Sequence, residues 1–179
     1  MRHGLMWYLC GLGSNIRPET NLPCAVAELA MRYGTLWLSP VIRTRPEGMM
    51  TPHAFLNALV VLRCELSPAA LKLEFNALEE QMGRNRSDPQ SRYSDRPIDV
   101  DILESSPRRH FTGRGIHESY YCALFHDTGS QPTVTLCLNG QSLGQAPATI
   151  YWNESTGHEV IVEQGKQLQY DTAKPTLPG

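Results

Sequence analysis

The chain has 179 residues, a formal net charge of −2 and 41% hydrophobic residues. That length suits one compact domain with an appendage, and no apolar run approaches the roughly 20 residues that span a bilayer. The charge balance is not the strongly basic one expected of an RNA-binding domain.

The first residues, "MRHGLMWYLCGLGSN", hold one Arg and a short apolar run. They lack a long apolar region and a small-residue cleavage site, so no signal peptide is expected. The cysteines (Cys10, Cys24, Cys64, Cys122 and Cys137) form an odd, scattered set without a C-x-x-C. Reduced, mostly buried thiols in a cytoplasmic protein are expected. His110, His117, Cys122 and His126 match no usual zinc-finger spacing, so no zinc site is expected.

"WYLCGLGSN" reads as a short apolar strand that ends at Gly11 and Gly13, where the backbone turns tightly. In "TNLPCAVAELAMRYG", Leu22, Val26, Leu29, Ala30 and Tyr33 recur at helical spacing, and Gly34 stops the helix. "TLWLSPVIRT" reads as a strand interrupted by Pro40. After the polar loop "RPEGMMTPH" comes a long β-branched strand, "AFLNALVVLRCEL". Ser67 caps a second helix that starts at Pro68, with Leu71, Phe75, Leu78 and Met82 on its apolar face and Gly83 at its end. An Arg-rich loop then leads to the strand "DRPIDVDIL". The order β-α-β-β-α-β predicts an α+β, ferredoxin-like sandwich: a mainly antiparallel sheet with helices on one face. "IHESYYCALF" suits a short helix. From about Gln131 the chain turns strand-rich, with a hairpin signal at Asn139-Gly140. Residues 1–130 are therefore taken as the main domain and 131–179 as an extension of uncertain role.

In "PIDVDIL" the carboxylates of Asp99 and Asp101 share one strand face, while Ile98, Val100 and Ile102 take the other. Two such charges repel and need a positive partner. Arg84, Arg86, Arg92 and Arg96 lie just upstream, and seven arginines fall between Arg84 and Arg114. A divalent cation is the other solution, and Mg²⁺ is commonly held by one or two carboxylates plus substrate phosphates. A purely structural Arg–Asp network stays open on these residues alone. So do an ordinary turn for "GLGSN" and a core role for Phe55 and Asn57. On one face of their strand, Phe55 offers a ring to stack on and Asn57 a donor and an acceptor for a heterocycle's edge.

Five ordered segments carry a resemblance: "GLGSN", "SPVIRTRPEG", "FLNALVVLRCELSP", "LEEQMGRNR" and "DRPIDVDIL". Together they resemble the 6-hydroxymethyl-7,8-dihydropterin pyrophosphokinase family over about Tyr8 to Leu103. The resemblance implies transfer of pyrophosphate from ATP to the hydroxymethyl pterin in folate biosynthesis, with release of AMP. It implies that Asp99 and Asp101 bind Mg²⁺, two ions being expected, and that Arg84 and Arg96 engage the phosphates. Glu79, Arg92 and Ile102 would complete the nucleotide side. Thr44, Pro46, Gly48, Phe55, Asn57, Tyr93 and Tyr121 would form the pterin side. The loop from about Arg84 to Asp95 would close over both substrates.

The chain departs from the pattern after Leu103. The connection is shorter, a Pro-His pair is absent, Ser119 stands where Arg is common, and Glu47 sits in the pterin loop. These departures motivate a second reading, a relative that binds pterin or nucleotide without turnover. A third reading is an RNA-contacting domain using the Arg stretch. The expected partners are the two small substrates, with no nucleic acid, no membrane and a monomeric chain.

Overall fold

The computed structural model describes residues 4–46, 51–90, 95–128, 131–153, 155 and 159–165. Its elements run β1 (Met6–Ser14), α1 (Pro18–Tyr33), β2 (Leu36–Leu38), β3 (Ile42–Thr44), β4 (Phe55–Cys64), α2 (Pro68–Gln81) and β5 (Asp99–Ser106). Then follow α3 (Ser119–His126), β6 (Leu136–Leu138), β7 (Gln141–Leu143), β8 (Ala148–Asn153) and β9 (Glu159–Gln164). The fold is α+β. Its main sheet has the order β5-β1-β4-β2-β8-β9, with β3 also paired to β4, and its pairings are antiparallel. Through β5, the expected β-α-β-β-α-β order forms, with its second strand divided into β2 and β3.

Alternation along β4 explains the layers. Leu56, Ala58, Val60 and Leu62 face a core shared with α1 and α2. Leu59 and Val61 point the other way, onto Tyr121 and Phe125 of α3. Helices α1 and α2 thus lie on one face, as expected. The third helix takes the opposite face, because Leu9, Leu59 and Val61 make that side apolar too and need cover.

The capping expected for α2 is present: the Ser67 Oγ accepts from the Ala70 N–H at 3.2 Å, and Pro68 is the first helical residue. Gly34 ends α1 with φ 83°. Pro40, which has no N–H, splits the expected second strand into β2 and β3. Both halves pair with β4, Leu38 opposite Val60 and Ile42 opposite Asn57.

The stretch after Gln131 joins this sheet. The β6–β7 hairpin turns through Asn139 (φ 48°) and Gly140 (φ 76°), the left-handed pair that a two-residue type I′ turn requires. Strand β8 pairs with β2, and β9 pairs with β8. Leu136, Leu138, Leu143, Ile150 and Val160 sit in the core that contains α1 and α2.

All five thiols are free, but only Cys10 is buried, while Cys24 and Cys137 are exposed. Mostly buried thiols were expected; Cys24 falls on the outward side of α1 and Cys137 on the outward side of β6, between the buried Leu136 and Leu138. Among the described residues, no helix is long and apolar enough to cross a membrane.

Candidate active site

Three strands set the site in register. Gly13 of β1 lies between Asp99 of β5 and Asn57 of β4. One pleat along, Gly11 lies between Asp101 and Leu59. Directly opposed residues in such ladders hold their β-carbons about 4.5–5.5 Å apart. The two glycines therefore make a floor without side chains, with the acids on one flank and Asn57 and Phe55 on the other. Gly11 and Gly13 lie inside β1, which runs on to Ser14, and do not end it. What forces glycine is space: a β-carbon on Gly11 would stand 2.6 Å from the Tyr121 ring, and one on Gly13 would stand 2.8 Å from Asn57 Oδ1.

The two acids are neutralised differently. Asp99 is gripped on both oxygens, by Arg84 Nη1 on Oδ1 at 3.2 Å and by Arg96 Nη1 on Oδ2 at 3.0 Å. Among the described residues, Asp101 receives a single amine, Lys72 Nζ, at 3.2 Å. Burial and the neighbouring Asp99 charge push the Asp101 carboxyl above its ordinary value, and Lys72 pulls it back. Behind Arg84 stands Glu79, whose side chain is fully buried. It accepts the Val100 N–H on Oε1 at 2.9 Å and pairs through Oε2 with Arg84 at 3.5 Å and with Arg86. Arg84 Nε is buried with no hydrogen-bond partner among the described residues. That leaves a donor over for an anion.

Across the glycine floor, Asn57 is buried and its amide is oriented by two hydroxyls. Its Nδ2 donates to Thr44 Oγ1 at 2.5 Å, and its Oδ1 accepts from the Tyr121 hydroxyl at 3.5 Å. Burial, with the nearby Tyr120, Asp99, Asp101 and Glu118, raises the Tyr121 phenol well above its usual range, so it stays neutral and donates. Phe55 lies beside them, its Cδ1 3.6 Å from the place a Gly13 β-carbon would take.

A knot of polar side chains ties the entrances to β4 and β5. Asn15 Nδ2 donates to Asp95 Oδ1 at 2.9 Å, and Asn15 Oδ1 accepts the Arg96 N–H at 2.6 Å. Asp95 Oδ2 meets His53 Nδ1 at 2.5 Å. Partial burial raises the Asp95 carboxyl, but hydrogen bonds from Thr51, His53 and Asn15 and the His53 charge outweigh it and hold the group below its ordinary value. Asn15 and Ile16 also donate their N–H groups to the Arg96 carbonyl at 3.1 and 3.3 Å. Arg96 is thus held at its backbone while its side chain reaches Asp99.

Comparison with known proteins decides what this arrangement belongs to. The sequence model of the 7,8-dihydro-6-hydroxymethylpterin-pyrophosphokinase family matches residues 9–124. The chain belongs to that family. It is similar to proteins named 2-amino-4-hydroxy-6-hydroxymethyldihydropteridine pyrophosphokinase in several bacteria. The Porphyromonas gingivalis protein is 44% identical over 94 residues, covering 51% of this chain and 64% of the relative. The Synechocystis protein is 36% identical over 96 residues, covering 52% of this chain and 47% of the relative. The Haemophilus influenzae protein is 30% identical over 95 residues, covering 51% of this chain and 58% of the relative. The chain therefore spans less than two thirds of the length of these relatives.

Of the residues expected for a pyrophosphokinase, the fold brings Arg84, Arg96, Asp99 and Asp101 together on one flank. It brings Thr44, Phe55, Asn57 and Tyr121 together on the other. Pro46 follows β3 by two residues and is half-buried. Ile102 turns its side chain towards the core of α1 and α2. Glu79 exposes no surface and meets the site only through Arg84 and the β5 backbone. Gly48, Arg92 and Tyr93, with Glu47 of the same pterin loop, lie outside the described residues. Lys72, Asn15, Asp95 and His53 escaped the sequence reading. A signal existed for Lys72: with Asn76 and Glu79 it forms a polar stripe at i, i+4, i+7 beside the apolar face of α2. Asn76 also accepts from Arg86, at 2.9 Å.

Proposed function

We propose that the chain transfers pyrophosphate from ATP to 6-hydroxymethyl-7,8-dihydropterin in folate biosynthesis and releases AMP. One observation carries this reading: a row across β5, β1 and β4 sets arginine-held carboxylates beside a stacking and ring-reading cluster, with only glycine between. Membership of the family supports it, and the similar bacterial proteins bear the matching name.

The pterin ring is placed on the Phe55 and Tyr121 side, where the Asn57 amide, held by Thr44 and Tyr121, would meet a heterocycle's edge with its remaining donor and acceptor. Thr44, Pro46, Gly48 and Tyr93 complete that side. Its hydroxymethyl group would then point past Gly13 towards the acids. The triphosphate is placed along β5, with Arg84 and Arg96 exchanging Asp99 for phosphate oxygens and Arg92 completing the nucleotide side, to which Ile102, its side chain turned to the core, adds only its backbone. Glu79 serves that side by fixing Arg84. The hydroxymethyl oxygen bonds to the β-phosphorus as the bond to the AMP oxygen breaks, and the hydroxyl proton is released. Holding the two reactants in line supplies most of what such a reaction asks of a protein.

The donor set fits Mg²⁺. Asp99 and Asp101 are hard oxygen donors on one strand face, and burial and the Asp99 charge hold the Asp101 carboxyl above its ordinary value despite Lys72. Bound there, two Mg²⁺ ions would neutralise the triphosphate and the charge growing at the β-phosphorus. The proposed residues lie on one chain, so a monomer suffices, and five free thiols suit the reducing cytosol.

AMP release from ATP tests the proposal. AMP should form only when the hydroxymethyl pterin and Mg²⁺ are both present. Calorimetric pterin binding with no AMP under saturating ATP would instead assign the chain a binding role without turnover.

A further inference from the structure

We propose that Lys72 is the resident counter-ion of Asp101, and that a divalent cation enters the site by displacing it. This rests on the pyrophosphokinase reading above and deepens it. The two carboxylates are held by different chemistry. With no ligand bound, Asp99 is held between two guanidinium groups, which bind in fixed planar geometry. Asp101 is met by one ammonium on a flexible four-carbon stem, a compact point charge such as a metal ion can replace.

The route of Lys72 supports the same view. It starts on α2, which covers the Val100 face of β5, while Asp101 points to the other face. β5 is the outermost strand of its sheet, so the stem reaches around a free edge. The side chains of Lys72 and Asp101 are 44% and 43% exposed. An ion pair this open to water is weakly held and breaks easily. A cation on the Asp101 carboxylate would meet the like charge of Lys72 Nζ at close range, so the two compete for it.

Charge tells when the exchange occurs. Among the described residues and without ligand, four carboxylates (Glu79, Glu80, Asp99 and Asp101) face four cations (Lys72, Arg84, Arg86 and Arg96). The cluster is balanced, so a metal arriving alone would leave it with excess positive charge, which a polyphosphate offsets. Once the phosphates arrive, the ammonium released from Asp101 has a new partner within reach. Metal and nucleotide therefore bind together, each favouring the other.

The test is Mn²⁺ titration by calorimetry on the full chain and on Lys72→Met, which keeps the stem and drops the charge. Without nucleotide, Lys72→Met should bind Mn²⁺ about tenfold more tightly, a gain in keeping with loss of a nearby like charge in a partly hydrated site. With a non-hydrolysable ATP analogue present, the advantage should vanish or reverse, because the triphosphate loses a cation. Binding to Lys72→Met no tighter than to the parent chain, including no binding to either, overturns the proposal. Asp101→Asn separates this from failure of the underlying reading: it should weaken Mn²⁺ binding in both backgrounds. Unchanged affinity there would overturn the metal seat itself.

Discussion

The ring of Tyr121 covers Gly11 so closely that a β-carbon on residue 11 would stand 2.6 Å from its Cε2 and Cζ. The ring is buried under α3 and has no free side to retreat to. Gly11→Ala should therefore push Tyr121 off the floor and turn its hydroxyl from Asn57. Overpacking of this kind costs about 1–3 kcal/mol. Pterin affinity should fall at least about tenfold, since about 1.4 kcal/mol of lost interaction is enough for that. Calorimetry and thermal melting check both effects. Tyr121→Ala should cost less stability in the Gly11→Ala background than it does alone, and should not restore affinity. Unaltered pterin binding in Gly11→Ala would remove Tyr121 from the ring-binding cluster.

Asp101 should cost the empty protein stability at neutral pH. Its folded-state carboxyl is raised above the ordinary value by burial and by Asp99. The fold therefore loses stability as pH rises from the ordinary Asp value of about 3.9 through the raised one. Asp101→Asn removes that loss. In the absence of metal it should melt no lower than the parent at pH 7, with the gap closing as the pH falls below the ordinary value. Turnover should nevertheless fall by orders of magnitude. Melting curves across pH with a parallel AMP assay check the pair, and a variant that melts lower at pH 7 with full activity would contradict both halves.

Glu79 should matter more to folding than a helical glutamate usually does. Its buried carboxylate satisfies the Val100 N–H and neutralises Arg84 and Arg86. Breaking a buried ion pair from one side costs about 3–5 kcal/mol. Glu79→Ala should lose about 3 kcal/mol in urea unfolding. Glu79→Gln keeps an acceptor for Val100 and should lose less. In both variants the KM for ATP should rise while the KM for pterin stays near its parent value. A rise in the pterin KM alone would place Glu79 elsewhere in the economy of the site.

Removing residues 131–179 should unfold the chain. Leu136, Leu138, Leu143, Ile150 and Val160 are buried in the common core, and β8 closes the edge of β2. At about 1.5–3 kcal/mol for each large apolar side chain, the loss is roughly 10 kcal/mol. Whole domains have only about 5–15 kcal/mol to lose. Circular dichroism of the truncated chain, which should lack a cooperative melt, checks this. A cooperative melt near the parent temperature would mark the segment as dispensable.

Much of this was legible in the sequence because it is local. Helical spacing, the Ser67-Pro68 cap, the Asn139-Gly140 turn and the alternation around Asp99 and Asp101 are properties of neighbouring residues. What escaped reading depends on residues far apart in the chain. Gly11 looks like a turn because strand interiors disfavour glycine, and only Tyr121, far along the chain, explains it. Pro40 makes β2 look like an edge, and only β8 shows that it is not one. Lys72 stands on the far side of the sheet from the acid it meets. Glu79 resembles a solvated helix residue until Val100 and two arginines close over it.

The position of β5 at the rim of the sheet has one more consequence. The acids stand where one flank opens to water, while Phe55, Asn57 and Tyr121, proposed for the pterin side, each expose less than a tenth of their surface. On that proposal a phosphate-bearing ligand would meet solvent-facing charge at once, whereas a ring would first have to part side chains that are packed together.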